Sequence, residues 1–438
     1  LVVHLLFHGK PPIEEEEEEL VETTNFMDKV VMWLSERSDK LIVQFKILVA
    51  HFQILAGFPT LLRINYPETL TQVTESFSIF NMDFWGLLSS GCFFKSSFMN
   101  QLLFATLFPF AINLCLLLAY FWIVRQRRKC GDLSTKHFHR NSCLQGVLLN
   151  LFMFYVITST TILQTFDCVT IQKNESTGET ISLLMADLSV DCNSQYYHRT
   201  KIYAIIMTAI YPIGIPVIYA IALFVKRKKL NPKPGNCMES LEIRKKDEDI
   251  AKYSFLWSSY KPRAYYFEVW MTIYKLLLSG LMIYFEPGTI TQKAITLLIV
   301  LFAMWIQTVI RPFIKRDENI LAVCGYWATT LTLIVGIILS EEDLNENDAN
   351  MALLGAFLSI INLGLIGLAI VQLFFSIASW FYATMGFLPN SRDDDVVTPA
   401  ISPRKNKKLK TLRRKSIEEG MEHLNMDSIQ KEKGDNDA

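Results

Sequence analysis

Long apolar blocks separated by charged stretches set the pattern of this chain. The blocks cover residues 41–59, 98–124, 143–163, 202–225, 265–285, 289–310, 320–340 and 351–381. Most reach the roughly 20 residues that a helix needs to cross a bilayer. The pattern predicts an all-α, multi-pass integral membrane bundle of about eight transmembrane helices. Seven remain if block 41–59 does not span. That block carries Gln44, Lys46, His51 and Gln53, whose transfer into hydrocarbon is costly. It either crosses the membrane or lies on its surface as an amphipathic helix. The spans do not reproduce one another's motifs.

Composition sharpens this picture. Of 438 residues, 51% are hydrophobic, and 43 Lys and Arg cancel 43 Asp and Glu. A soluble chain of this length would form two or three domains; here the apolar residues gather into membrane-length blocks instead. The chain begins at Leu1 rather than Met and is expected to be a fragment. "LVVHLLF" at its start is too short to span; a cut-off earlier span, a piece of a signal segment and an incidental apolar run are all open.

Charge then orients the blocks. "RQRRKCGDLSTKHFHR" (125–140), "KRKKLNPKPGN" running on to "YKPR" (226–263), "RPFIKRDEN" (311–319) and the tail "PRKNKKLKTLRRKS" are basic. Residues 60–97, 164–200, "EPG" (286–288) and "EEDLNENDAN" (341–350) are poor in Lys and Arg. This alternation obeys the positive-inside rule and places the C-terminus in the cytosol of a plasma membrane or endomembrane. The expected layout is an N-terminal cytosolic segment with an acidic run over 1–40, a transmembrane domain over 41–385 and a disordered basic cytosolic tail over 386–438.

The loop 164–200 carries two marks of an outer face. Cys168 and Cys192 are a disulfide candidate in an oxidising compartment. Asn174, in "NES", is a glycosylation candidate. Cys92 lies on the same side and competes for pairing.

Signatures of catalysis are missing. There is no phosphate-cradling glycine loop, no zinc-spaced cysteine pair and no Gly-x-Ser-x-Gly. Cys130, His137, His139 and Cys143 match no common zinc spacing and are expected in a solvated loop. Neither enzymatic activity nor a cofactor is predicted, and no nucleic-acid partner. The six glutamates at 14–19 suit a solvated arm. Eight Lys or Arg within residues 404–415 suit either anionic cytosolic lipids or a topogenic tail. Ser402 and Ser416 beside them are candidates for phosphorylation.

Two features inside the blocks call for partners. In "YPIGIP" (211–216), Pro212 and Pro216 remove backbone donors and leave the carbonyls of Thr208 and Pro212 without helical partners. With Gly214 they form a hinge candidate, the alternative being a static kink. In block 265–285, Lys275 sits about ten residues, or about 15 Å, from either end. A charge at such depth costs at least about 2.5 kcal/mol. Glu268, seven residues earlier, shares its helix face at about 10 Å. Asn113, Asn150, Gln307 and Asn362, with the freed carbonyls, are the neutral acceptors expected. Either a structural polar network or a water-filled or ion-lined cavity would hold the ammonium.

The words "KILVAHFQILAGFP", "NMDFWGLLSSGC", "LLMADLSVDC", "YPIGIPVIYA", "YKPRAYYFEVWMTIYKLLLSG" and the shorter "QTVIRPF" occur in order over roughly residues 45–315. They resemble the transient receptor potential (TRP)-like C-terminal membrane domain of large protist, algal and oomycete proteins. The resemblance implies a polytopic membrane protein, a cation channel or transporter in contact with lipids and ions. The alternative is a non-conducting anchor or receptor module for a larger ectodomain. Channels of the TRP type place a pore helix and filter between their last two spans. The ten residues of "EEDLNENDAN" are too few for both.

Overall fold

The computed structural model describes residues 26–64, 66–76, 97–129, 136–174, 179–285, 288–341 and 349–384. Its main helices are α1 (Phe26–Leu55), α2 (Phe98–Lys129), α3 (Lys136–Gln164), α4 (Gln195–Thr208), α5 (Ile215–Val225), α6 (Cys237–Lys246), α7 (Phe267–Ser279), α8 (Ile290–Ile310), α9 (Arg316–Glu341) and α10 (Ala349–Thr384). Six described segments are long and apolar enough to cross a membrane: Phe98–Gln126, His139–Gln164, Gln195–Val225, Ile290–Ile310, Arg316–Ser340 and Met351–Ser376. They coincide with six of the eight expected blocks.

The other two blocks are built differently. Among the described residues, block 41–59 forms the apolar helix Leu41–Leu55, which ends where the chain turns at Ala56–Gly57 before a new helix, Phe58–Leu62, that opens with Pro59. Upstream, α1 continues without a break from the charged residues before Leu41. Block 265–285 is the 13-residue α7 followed by a 3-10 turn, Leu281–Tyr284. At Gly280 a Cβ would stand 3.1 Å from the Leu276 carbonyl oxygen and 2.4 Å from the Leu163 Cδ1 atom, so a larger residue here would force the Leu163 side chain of α3 to move.

The bundle has an inside and an outside of inverted polarity. In α3, 72% of the apolar window is buried, against 17% in α2. Leu118, Phe121 and Trp122 of α2, Phe224 of α5, Trp305 of α8 and Phe374 of α10 are exposed. Thr158, Ser159, Thr296, Thr332 and Asn362 are buried. Exposed apolar belts around a polar interior suit lipid as solvent. Neighbouring helices α2–α3, α8–α9 and α9–α10 pack in sequence, while α7 contacts α1, α3, α5 and α8. That central place of α7 positions the site described below.

Span 195–225 is continuous but not uniformly α-helical. Residues Ala209–Gly214 form a π-helix containing Pro212. Pro216 cannot donate to the Pro212 carbonyl, and the Tyr155 hydroxyl does so instead at 3.1 Å. The Tyr211 hydroxyl in turn donates to the Thr106 carbonyl at 2.7 Å. A Cβ on Gly214 would stand 2.8 Å from the Ala209 carbonyl oxygen. Glycine is therefore what lets the wide turn close.

The loop 164–200 departs from an all-α chain. It folds as a three-stranded antiparallel sheet in the order β1 (Cys168–Asn174), β2 (Glu179–Leu184) and β3 (Asp187–Asp191). Cys168 stands opposite Leu184, and Leu183 opposite Asp191. Short runs rich in Val, Ile and Thr, as in "CVTIQ" and "TISLL", fit a pleated surface. A disulfide joins Cys168 to Cys192, their Cα atoms 6.5 Å apart. The sheet is tied to the bundle where Asp187 Oδ2 accepts the Phe98 amide at 3.2 Å, at the start of α2.

Several expectations fall outside the described residues: the acidic run 14–19, Cys92, Cys130, the "ES" of the Asn174 motif, the linker 342–348, and the tail with Ser402, residues 404–415 and Ser416. Asn174 itself ends β1. His139 and Cys143 are corrected by the structure. They are buried on one face of α3, four residues apart, rather than in a solvated loop.

Candidate functional site

The polar residues that weakened block 41–59 as a span are the ones that build its interior contacts. Lys46, His51 and Gln53 are buried, whereas Leu41, Ile42 and Phe45 of the same helix are exposed. This is the inverse of a helix lying on a membrane surface. Lys46 Nζ donates to Glu268 Oε2 of α7 at 2.5 Å and to the Phe255 carbonyl at 3.0 Å. It also stands 4.2 Å from the centroid of the Phe255 ring. The Tyr260 hydroxyl donates to the same Glu268 oxygen at 2.9 Å. Glu268 is thus held by Lys46, not by Lys275.

Lys275 finds partners that the helix-face argument did not supply. Its Nζ donates to Gln53 Oε1 at 3.2 Å and sits 3.8 Å from the Phe152 ring centroid. Gln53 is itself oriented by donating to the Met153 carbonyl at 2.9 Å. The expected neutral acceptors are engaged elsewhere. Asn150 donates to Asn113 Oδ1 at 2.8 Å and to the Pro109 carbonyl at 2.9 Å. Asn362 accepts from His51 Nε2 at 3.0 Å and donates to Thr332 Oγ1 at 3.2 Å. The spacing of Lys46 and Gln53, seven residues apart, was the available signal. Two helical turns put both on one face, and that face meets α7.

Beside this cluster lies a cavity of about 60 Å³. Lys46 and His51 of α1, Glu268 and Lys275 of α7, Gln307 of α8 and Tyr326 of α9 are among its walls. Most of the remaining lining is apolar or aromatic, including Phe152, Met271 and Phe313. Gln307 is 1% exposed, and neither its amide nitrogen nor its oxygen has a hydrogen-bond partner among the described residues. Each such buried group left unmatched costs about 1–3 kcal/mol. A second cavity, of about 10 Å³, touches Lys275 and Glu268 from the α3–α5 side, where the buried Tyr219 hydroxyl has no hydrogen-bond partner among the described residues. That volume is near the lower limit for one water.

Ser259, Tyr260 and Phe313 form one end of the larger cavity's wall. Tyr260 pairs with Phe313 as an isolated antiparallel bridge. Arg244 of α6 is 1% exposed; its Nη2 donates to the Tyr260 carbonyl at 2.9 Å, and its guanidinium lies 4.5 Å from the Trp257 ring centroid. Burial pulls the Arg244 guanidinium down to about 10. Lys261 Nζ donates to the Arg311 carbonyl at 2.8 Å. Burial, with Arg263 and Arg311 alongside, lowers Lys261 from the usual lysine range.

Residues 89–395 match the family model described as transient receptor potential (TRP) ion channel. No curated protein and no solved structure matches the chain. The matched region holds α2 to α10, with Glu268, Lys275 and Gln307 inside it; α1, which supplies Lys46 and Gln53, precedes it. A polar-cored helical membrane bundle matched over more than half its length places this chain in the TRP ion channel family.

Proposed function

We propose that the chain is the membrane-embedded part of a cation channel. The observation that carries this reading is a family match over a bundle whose interior holds ionisable side chains next to cavities. Intramembrane Lys and Glu are costly and mark pathways or switches by default. A transporter shares every one of these features. The proposed layout has the C-terminus in the cytosol, Asn174 outside, the basic tail against anionic lipid, and the segments 1–40, 41–385 and 386–438 as distinct units. Recording currents from the full chain reconstituted in liposomes is the direct test; sealed, silent vesicles at all voltages and ionic gradients would reject conduction. Thiol labelling of cysteines placed in 175–178 and 231–236 on intact cells tests orientation. Reaction of the second site without permeabilisation would reverse it.

A non-conducting anchor or receptor module is the second reading. Two observations favour it: the cavity wall carries two lysines against one carboxylate, a poor lining for cations, and only residues 342–348 separate α9 from α10, too few for a pore helix with a filter.

A further inference from the structure

We propose that the cavity between α1, α7, α8 and α9 is a binding site for a chloride-sized monoanion. Charge on the cavity wall is the first ground. Two ammonium groups, Lys46 and Lys275, face one carboxylate, Glu268. That carboxylate is taken by Lys46 at 2.5 Å and by the Tyr260 hydroxyl at 2.9 Å. Lys275 is left with a neutral acceptor, Gln53 Oε1. The ammonium form of Lys275 therefore has no anionic partner of its own in a low-dielectric interior, where an unpaired charge is most costly. A cation entering there would be repelled, and a dianion would merely reverse the imbalance. A monoanion balances it.

The second ground is the unmatched amide of Gln307. It lines the same cavity, fully buried, with Nε2 free to donate to an anion and Oε1 free to accept from an accompanying water. The volume of about 60 Å³ exceeds what a single water requires and admits a small ion with a water beside it. Phe152, Tyr274 and Tyr326 contribute aromatic surface to the rest of the wall. Lys261, Arg263 and Arg311 flank the Tyr260–Phe313 wall along the chain and favour negative charge near it. The site does not depend on whether the chain conducts.

The test uses the purified full chain in detergent, melted in chloride or in gluconate at constant ionic strength. An ion that binds only the folded state raises the melting temperature saturably with its concentration. Chloride and bromide are expected to do so and gluconate is not. Lys275→Met removes the charge and Gln307→Glu supplies a built-in carboxylate, so both variants are expected to lose the chloride dependence. Gln307→Glu in gluconate should melt near wild type in chloride. Wild-type melting that ignores chloride overturns the proposal, as does a Gln307→Glu variant with undiminished chloride dependence. If either variant fails to fold, equilibrium dialysis of the wild type with radioactive chloride decides. Retention of about one ion per chain, displaced by bromide, supports the site; no retention means that water alone fills the cavity and the proposal fails.

Discussion

Lys46 and Glu268, on helices far apart in the chain, meet at 2.5 Å inside the bundle with side chains 6% and 2% exposed. The contact fastens α1 to the first turn of α7. Removing one partner strands the other charge, whereas removing both does not. Glu268→Gln is expected to lower unfolding free energy by about 3–5 kcal/mol. The double variant Lys46→Met/Glu268→Leu should lie closer to wild type. Denaturant melts in detergent for Lys46→Met, Glu268→Leu and the double variant measure the coupling; additive losses would mean that the two side chains are neighbours without being partners.

For Lys275, the structure offers one neutral acceptor and an aromatic face. Lys275→Met in chloride-free buffer is therefore expected to leave the melting temperature unchanged or raise it, since a poorly compensated buried charge disappears. Flux measured in parallel separates the two roles. An unchanged melt with altered ion selectivity would put the side chain in a conduction path, while a steep loss of stability would mean that the Gln53 contact is indispensable.

At the π-helix, two substitutions should act for different reasons. Gly214→Ala drives a methyl to 2.8 Å from the Ala209 carbonyl oxygen, a backbone contact that cannot swing away; overpacking of this kind costs about 1–3 kcal/mol. Tyr155→Phe removes the donor to the Pro212 carbonyl and leaves it unmatched in an apolar interior, at a similar cost of about 1–3 kcal/mol. Thermal melts of each variant provide the check. A neutral Gly214→Ala would show that the π-turn relaxes to an α-helix at little cost.

The sheet depends on Cys168–Cys192. Closing a loop of this size is worth roughly 3 kcal/mol on the chain-entropy model, and Cys168→Ser should lose about that much under oxidising conditions. Non-reducing peptide mapping should recover the Cys168–Cys192 pair. A peptide joining either cysteine to Cys92 would contradict the observed pairing.

Asp187 ties the sheet to α2 in a pH-dependent way. Its carboxylate accepts from the Ser189 hydroxyl at 2.6 Å, from the Ser189 amide and from the Phe98 amide. These bonds, led by the Ser189 hydroxyl, hold it below the usual carboxylate range. A depressed pKa means that the folded chain binds the proton less tightly than the unfolded one. Its stabilisation is complete above the unfolded value of about 3.9 and fades as pH falls through the folded value. The melting difference between wild type and Asp187→Asn should thus be largest near neutrality and vanish in strong acid. A difference that persists unchanged at low pH would exclude the carboxylate as its source.

What the sequence alone determined was the solvent. Apolar blocks of bilayer length, basic stretches at alternate linkers and a distinctive run of words were enough to identify a helical membrane bundle and its TRP family, because burial in lipid imposes length and hydropathy locally along the chain. The pairing of Cys168 with Cys192 was legible as a candidate, since both fall in the one segment 164–200, although Cys92 competed for it. Partner choice was not. Lys46 and Gln53 counted against a span when hydropathy was summed over their block, yet they hold Glu268 and Lys275; hydropathy averages around a helix, and only packing decides which face meets α7. The break at Gly280, the Tyr155 contact to Pro212 and the unmatched Gln307 amide belong to the same kind. Each is fixed by a neighbour many residues away, which no local pattern encodes.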